Sequence, residues 1–250
     1  MTADSAAAAS AGPVLHRERP ERLLVIVAHP DDADFGPAAT VASWIDRGTV
    51  AELVCCTSGD AGADDPDTDP VELGLLRETE QRAAAEVVGY RAVHFLHQPD
   101  GALENDLPLR EALVRLIREM RPDAVMTSDP THLFTADGFV QHTDHRAAGM
   151  AAVDAVYPAA RNAMAFPHLA KSGLAPHVVR RIYLFWPAEP DEWVDVSGYV
   201  DRKLLALRAH ASQLRDPGAT EQRVRERLAQ QGALLGLTGA EPYRVIRIER

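Results

Sequence analysis

Leu23-Leu24-Val25-Ile26-Val27-Ala28 runs without a polar residue straight into His29-Pro30-Asp31-Asp32-Ala33-Asp34. A short, uninterrupted apolar run is what a strand buried on both faces presents, and such strands belong to parallel sheets covered by helices. Outward from it the same alternation repeats. Ala38–Arg47 has helical spacing and stops at Gly48, Val50–Thr57 reads as a second strand, and Leu73–Val88 is a helix ended by Gly89. The Asp- and Pro-rich stretch Asp64–Pro70 between them reads as a surface loop. Val93–Leu96, Ala124–Thr127 and Ile182–Trp186 continue as strands, with Leu109–Met120 and Asp144–Val156 as helices. Trp193–Val196 is a short strand, Val200–Leu214 and Glu221–Leu234 are helices, and Tyr243–Ile248 is a closing strand. This order predicts an α/β fold: a single Rossmann-like, doubly wound, mostly parallel sheet with helices on both faces.

A chain of 250 residues can bury a large core without disulfides or metal staples. Residues 21–250 read as one α/β domain, and residues 1–20 as a mobile tail. The alanine run Ala6–Ala9 in that tail lacks the basic start and the apolar stretch of a secretory signal. With 26 basic against 37 acidic residues the net charge is −11, which argues against a phosphate-tracking nucleic-acid binder. No stretch approaches the roughly 18 apolar residues of a membrane span. Cys55 and Cys56 are neighbours, so on a strand they point to opposite faces and do not pair. That composition fits a cytoplasmic protein.

In a doubly wound sheet, ligands bind beyond the carboxyl ends of the strands. A dinucleotide site would put a glycine-rich turn after the first strand. Here an imidazole and three carboxylates stand there instead, a donor set suited to a divalent metal such as zinc. The competing reading is a polar turn with an aspartate capping the next helix. A second cluster, Gln141-His142-Thr143-Asp144-His145-Arg146, opens a later helix and puts His142 and His145 on one face. His29, Asp32 and His145 together make a three-ligand site with a fourth position for water. That is the pattern of a catalytic rather than a structural zinc.

Further segments follow in order: Thr57-Ser58-Gly59-Asp60, Arg77, Pro99-Asp100-Gly101, Arg121-Pro122-Asp123, Lys203, and His210-Ala211-Ser212-Gln213. With these, residues 23–249 resemble the N-acetylglucosaminyl deacetylase family, also called LmbE-like or PIG-L-like, of zinc-dependent amidohydrolases. The resemblance implies removal of the N-acetyl group from an N-acetylglucosamine-type conjugate, giving a free amine and acetate. It implies one zinc per chain on His29, Asp32 and His145, with Asp31 as general base toward the water. His142 takes the place of the histidine that stabilises the oxyanion or protonates the departing amine. Asp60, Arg77 and Asp100 take places that face the substrate, although Pro99-Asp100-Gly101 is also a favourable turn. Asp144 either orients a ligand histidine or caps its helix.

Two positions depart from the pattern. Val140 stands where some members carry a tyrosine, and Asp60 where relatives often carry glutamate. Among the remaining residues, Asp34 reads as a helix cap, His132 as solvent-exposed or else lining the pocket, and His210 as structural. Trp186 could wall a sugar site, and Phe185 reads as core. The expected partner is a small amino-sugar conjugate, with no nucleic acid and no membrane. The alternatives are an amidase of a larger thiol–sugar conjugate and a non-catalytic sugar- or nucleotide-binding module.

Overall fold

Eight strands among the described residues form one sheet: β1 (Val14–His16), β2 (Arg22–Val27), β3 (Val50–Thr57), β4 (Ala92–Gln98), β5 (Ala124–Ser128), β6 (Arg181–Phe185), β7 (Glu192–Asp195) and β8 (Ala240–Arg247). The structure is a computed structural model that describes residues 12–134 and 138–248. The strand order is β1-β7-β8-β6-β5-β2-β3-β4. Every neighbouring pair is parallel except those of β8, which runs antiparallel to both β6 and β7. The α-helices are α1 (Asp32–Phe35), α2 (Ala38–Asp46), α3 (Pro70–Val88), α4 (Leu107–Met120), α5 (Thr143–Asp154), α6 (Pro167–Lys171), α7 (Val200–Arg208) and α8 (Pro217–Ala233). None of the described helices is long and apolar enough to cross a membrane.

Alternation along β2 produces the layers. Leu23, Val25 and Val27 pack with α2 on one face, and Leu24 and Ile26 pack with α4 and α5 on the other. All five are fully buried, each contributing about 1.5–3 kcal/mol of transfer free energy. Cys55 and Cys56 fall into opposite clusters and remain free thiols. The helices on both faces and the mostly parallel sheet agree with the sequence expectation.

Local chemistry sets the helix starts. Asp69, Asp106 and Asp216 accept hydrogen bonds from the first backbone amides of α3, α4 and α8, each with a proline in the first turn. The acidic loop therefore ends in its own cap, and α3 begins at Pro70 rather than Leu73. Asp34 caps nothing: it lies inside α1, fully buried, and α2 starts after Pro37. The tail also differs from expectation. Val14–His16 adds β1 to the sheet edge in parallel with β7, and His16 is buried against Glu192 and Tyr183. Residues 1–11 lie outside the described residues.

From β2 the chain moves outward through β3 to β4, then returns to β5 on the other side of β2. That reversal opens a crevice at the carboxyl ends of β2 and β5, where ligands bind in this architecture.

Candidate active site

His29 to Asp34 leave β2 directly into this crevice, and α5 enters it from the loop after β5. α5 can press on the end of β5 because Gly149 has no side chain; a Cβ there would lie 2.4 Å from the carbonyl oxygen of Ser128. Ser128 Oγ in turn donates to the His145 carbonyl at 2.7 Å, fixing the first turn of α5. Three histidine rings consequently meet. His29 lies 4.9 Å from His142 and 5.3 Å from His145, centroid to centroid.

Carboxylates surround them. Asp32 Oδ1 is 2.9 Å from His145 Nε2, and Asp32 Oδ2 is 3.5 Å from His29 Nδ1. The other nitrogen of His29, Nε2, faces Asp100 Oδ1 at 3.0 Å and Asp144 Oδ2 at 3.4 Å. Asp144 is fully buried and also accepts from the Gly101 amide at 2.7 Å, which ties α5 to the turn after β4. Asp100 accepts from the Ala61 amide at 2.8 Å, which ties that turn to the loop after β3. Asp31, Asp32 and Asp100 line a pocket of about 320 Å³ whose one permanent cation is Arg77.

That excess of negative charge governs protonation. Burial works against a charged His29, yet its hydrogen bonds to Asp100 and Asp32 outweigh the burial and raise its pKa to about 11. Burial and the neighbouring charge of Asp32 push Asp31 up to about 7, against the pull of Arg77. Burial would also raise Asp32, but His145 and His29 hold it far below the usual carboxylate range. Protons supply the positive charge the pocket demands, and a divalent cation meets the same demand with a donor set of imidazole and carboxylate. Two sets of three ligand-capable groups have donor atoms within 4.8 Å of one another: His29–His142–His145 and His29–Asp100–Asp144. A His/Asp cluster that could hold a metal ion is therefore present in the fold.

His142 differs from the other two histidines. It is the N-cap of α5, and its Nδ1 accepts the Asp144 backbone N–H at 3.2 Å. A ring whose Nδ1 accepts carries its proton on Nε2, so that atom is a donor with no lone pair for a metal. The helix-capping role weighed for Asp144 thus falls to His142, while Asp144 contacts His29.

Asp31 and Asp32 diverge although they are adjacent. Asp31 has φ 92°, a left-handed conformation that costs a non-glycine residue on the order of 1–2 kcal/mol. Its backbone N–H donates to Gln81 Oε1 at 2.8 Å; Gln81 donates to Asp34 at 2.8 Å, and His210 Nε2 lies 2.9 Å from the same Asp34 oxygen. This buried chain holds the strained turn. Gln81 was not evident in the sequence reading, although it stands one helical turn after Arg77 on the same face of α3.

The sequence-derived substrate residues divide. Asp100 and Arg77 line the pocket, but Arg77 is buried, with its guanidinium donating to the carbonyls of Gly59 and Pro30 at 2.8 Å each and to Asp31 at 3.4 Å. It braces two loops and Asp31 rather than reaching outward. Gly59, at φ +69°, is required there, because a Cβ would lie 2.4 Å from that guanidinium. Asp60 does not line the pocket; it sits half-buried beside Gly74 of α3, so a sugar contact from it is not supported. His132 is partly buried against Asp129 rather than solvated. Phe185 is core, while Trp186, at φ +52°, turns out of β6 to within 5.2 Å of the His145 ring. His210 is fully buried, in agreement with its structural reading.

A doubly wound sheet with a metal-capable His/Asp pocket at its switch point defines the class of protein. Residues 24–156 match the family PIG-L: GlcNAc-PI de-N-acetylase, and the chain belongs to it. It is 31% identical to diacetylchitobiose deacetylase of Thermococcus kodakarensis, over 77% of this chain and 70% of that one. It is 28% identical to the probable N-acetyl-alpha-D-glucosaminyl L-malate deacetylase 2 of Bacillus anthracis, over 76% of this chain and 80% of that one. Among solved structures, N,N'-diacetylchitobiose deacetylase from Pyrococcus horikoshii, complexed with its inhibitor MPG, matches with a TM-score of 0.84 and 27% identity. That match covers 91% of this chain and 84% of the other.

Proposed function

We propose that the chain is a zinc-dependent deacetylase that hydrolyses the N-acetyl amide of an N-acetylglucosamine-type conjugate, with one zinc per chain held by His29, Asp32 and His145. The observation that carries this reading is the divergence of two adjacent carboxylates. Asp32 turns to both ligand histidines, whereas the left-handed backbone at Asp31 turns its carboxylate onto the pocket wall beside Arg77. A binding module has no use for a second, separately held carboxylate beside a metal. His29 presents Nδ1 to Asp32 and keeps Nε2 on Asp100 and Asp144, the outer carboxylate arrangement that fixes the tautomer of a ligand histidine. The named relatives supply the substrate class.

Zinc, when bound, supplies Lewis acidity that polarises the amide carbonyl and makes water acidic enough to attack near neutral pH. The protein's own groups move the protons. Asp31 takes a proton from the attacking water as the carbon–oxygen bond forms. The same carboxyl then returns that proton to the nitrogen as the carbon–nitrogen bond breaks, releasing the amine and acetate. His142 Nε2–H donates to the oxygen that gains charge in the transition state, in place of the hydroxyl that Val140 cannot provide. Two free thiols, both fully buried, support a cytoplasmic setting.

Incubation of the zinc-loaded protein with N-acetylglucosamine and N,N'-diacetylchitobiose, following acetate release, tests the reading. Release that stops on chelation and returns with zinc is expected. Unchanged release after complete removal of metal overturns the zinc assignment, and no release from any N-acetylglucosaminide overturns the substrate class.

A further inference from the structure

The segment that carries Asp31 and Asp32 is a single helical turn. α1 spans four residues, and its i→i+4 bonds run from the Phe35 amide to the Asp31 carbonyl at 2.9 Å and from the Gly36 amide to the Asp32 carbonyl at 2.8 Å. One turn fixes many dihedrals for few hydrogen bonds, so it does not stand on its own. Nor can it be extended, because Pro37 has no N–H to offer the Ala33 carbonyl. The carbonyls at its end need donors from elsewhere.

Lys203 supplies them. This buried lysine of α7 donates from Nζ to the Phe35 carbonyl at 2.9 Å, to the Gly36 carbonyl, and to Glu241 Oε1 at 2.8 Å. An ammonium group has three N–H donors, and all three are used. Glu241, buried on β8, serves the next helix with its other oxygen. Its Oε2 accepts the Thr40 amide at 2.8 Å in the first turn of α2, whose own N-cap residue, Pro37, has no side-chain acceptor. The cation thus closes the end of α1 and the anion opens α2, the signs that such helix ends favour.

Gly36 is held from the other side as well. A Cβ there would lie 2.9 Å from both the Asp32 carbonyl oxygen and the Phe185 ring, so α1 rests directly on the end of β6. Asp32 is thereby kept facing His145, whose ring packs on Trp186, and Trp186 packs on Phe185 at 4.8 Å. An apolar pair of equal volume would fill the space of Lys203 and Glu241 without desolvating two charges. It would not satisfy the two carbonyls or the amide, which belong to the segment of the two aspartates.

We infer that Lys203 is a positioning residue: anchored by Glu241, it clamps α1 onto the sheet and so sets the directions of Asp31 and Asp32. Neither member of the ion pair lines the catalytic pocket, and both lie outside the residues 24–156 matched by the family. The inference rests on the reading of Asp32 as a zinc ligand and Asp31 as the base.

The deciding variant is Lys203→Met/Glu241→Gln, which removes both charges together, matches the lysine stem and leaves an amide oxygen for Thr40. Its circular dichroism and cooperative urea unfolding are expected to remain those of a folded protein. Zinc affinity, by competition with a chromogenic chelator, is expected to fall about 10–100-fold, and kcat at saturating zinc by a similar factor with KM near parental. The visible absorption of the cobalt-loaded protein, which reports ligand geometry, is expected to change. In the metal-free full chain the Phe35 and Gly36 amides should exchange with deuterium faster than in the parent, whereas those of β2 should not. A folded double variant with parental zinc affinity, cobalt absorption and α1 exchange overturns the inference. Exchange that accelerates equally in α1 and β2 also overturns it, because the pair then stabilises the domain as a whole. So does failure to fold of both this variant and Lys203→Gln/Glu241→Gln. A parent that binds zinc but releases no acetate from any N-acetylglucosaminide overturns the deacetylase reading instead, and the affinity, absorption and exchange measurements still decide the role of Lys203.

Discussion

His29 and His210 are both buried histidines held by aspartate, and the difference between them separates function from scaffold. His210 is sealed, with Nε2 on Asp34 at 2.9 Å and Gln81 completing that carboxylate at 2.8 Å. One carboxylate meets one imidazole, and both are completely buried. His29 contacts three carboxylates, from Asp32, Asp100 and Asp144, and lines an open pocket. Surplus carboxylate around an accessible imidazole creates a demand for a cation. A matched, closed pair creates only stability. A histidine near an aspartate is therefore no sign of chemistry until the balance of charge and the access of solvent are known.

Four variants sharpen or break this contrast. The largest effect is expected from His29→Ala, which should abolish both bound zinc and acetate release while changing the unfolding midpoint little. Elemental analysis alongside denaturation measures this, and full zinc in the variant refutes the ligand assignment. Next comes Asp31→Asn, expected to retain zinc and lose roughly 10²–10⁴ in kcat, the contribution of a positioned general base. Near-parental turnover would move the base to another group. His142→Ala should also keep its zinc and lose about 10²–10³ in kcat, as for removal of one oxyanion donor. Loss of zinc in step with activity would make His142 a ligand, against the tautomer set by its Nδ1 contact.

The smallest effect on chemistry and the clearest on folding belongs to His210→Ala. Breaking this buried pair is expected to cost about 3 kcal/mol. Burial lowers the pKa of His210, but the hydrogen bond and charge of Asp34 outweigh burial and raise it above the ordinary value. The folded state thus holds the proton more tightly than the unfolded chain. The contribution is fully present below about pH 6.5 and is lost as pH rises through the elevated folded value. Urea titrations across that range should show the gap between parent and variant narrowing with rising pH. A gap that widens instead would mean that His210 is neutral in the fold.

Much of this was legible in the sequence, because it depends on spacing. The apolar run Leu23–Ala28 had no use except in a sheet buried on both faces, and β3 keeps its expected bounds at Val50–Thr57. Where an element has strong periodicity and a glycine stop, as α3 has at Gly89, its own residues determine it. The three residues proposed as metal ligands were equally visible, since each closely follows a strand or opens a helix. β1 was not visible: three residues of no distinctive pattern become a strand only when β7 offers an edge. The antiparallel direction of β8 likewise depends on β6 and β7 standing on either side of it.

Side-chain roles split along the same line. The sequence brought His29, Asp32 and His145 together through a strand end and a helix start, and the family resemblance marked Asp31, Asp100 and Arg77 as neighbours of that site. Only the tertiary structure decided that Arg77 is spent on Gly59, Pro30 and Asp31, that Asp60 stays off the lining of the catalytic pocket, and that Asp34 joins His210 inside the core. The physical reason is reach. Periodicity and capping act within a few residues along the chain, whereas the partner of a buried charge is whichever group the packing of distant elements leaves beside it.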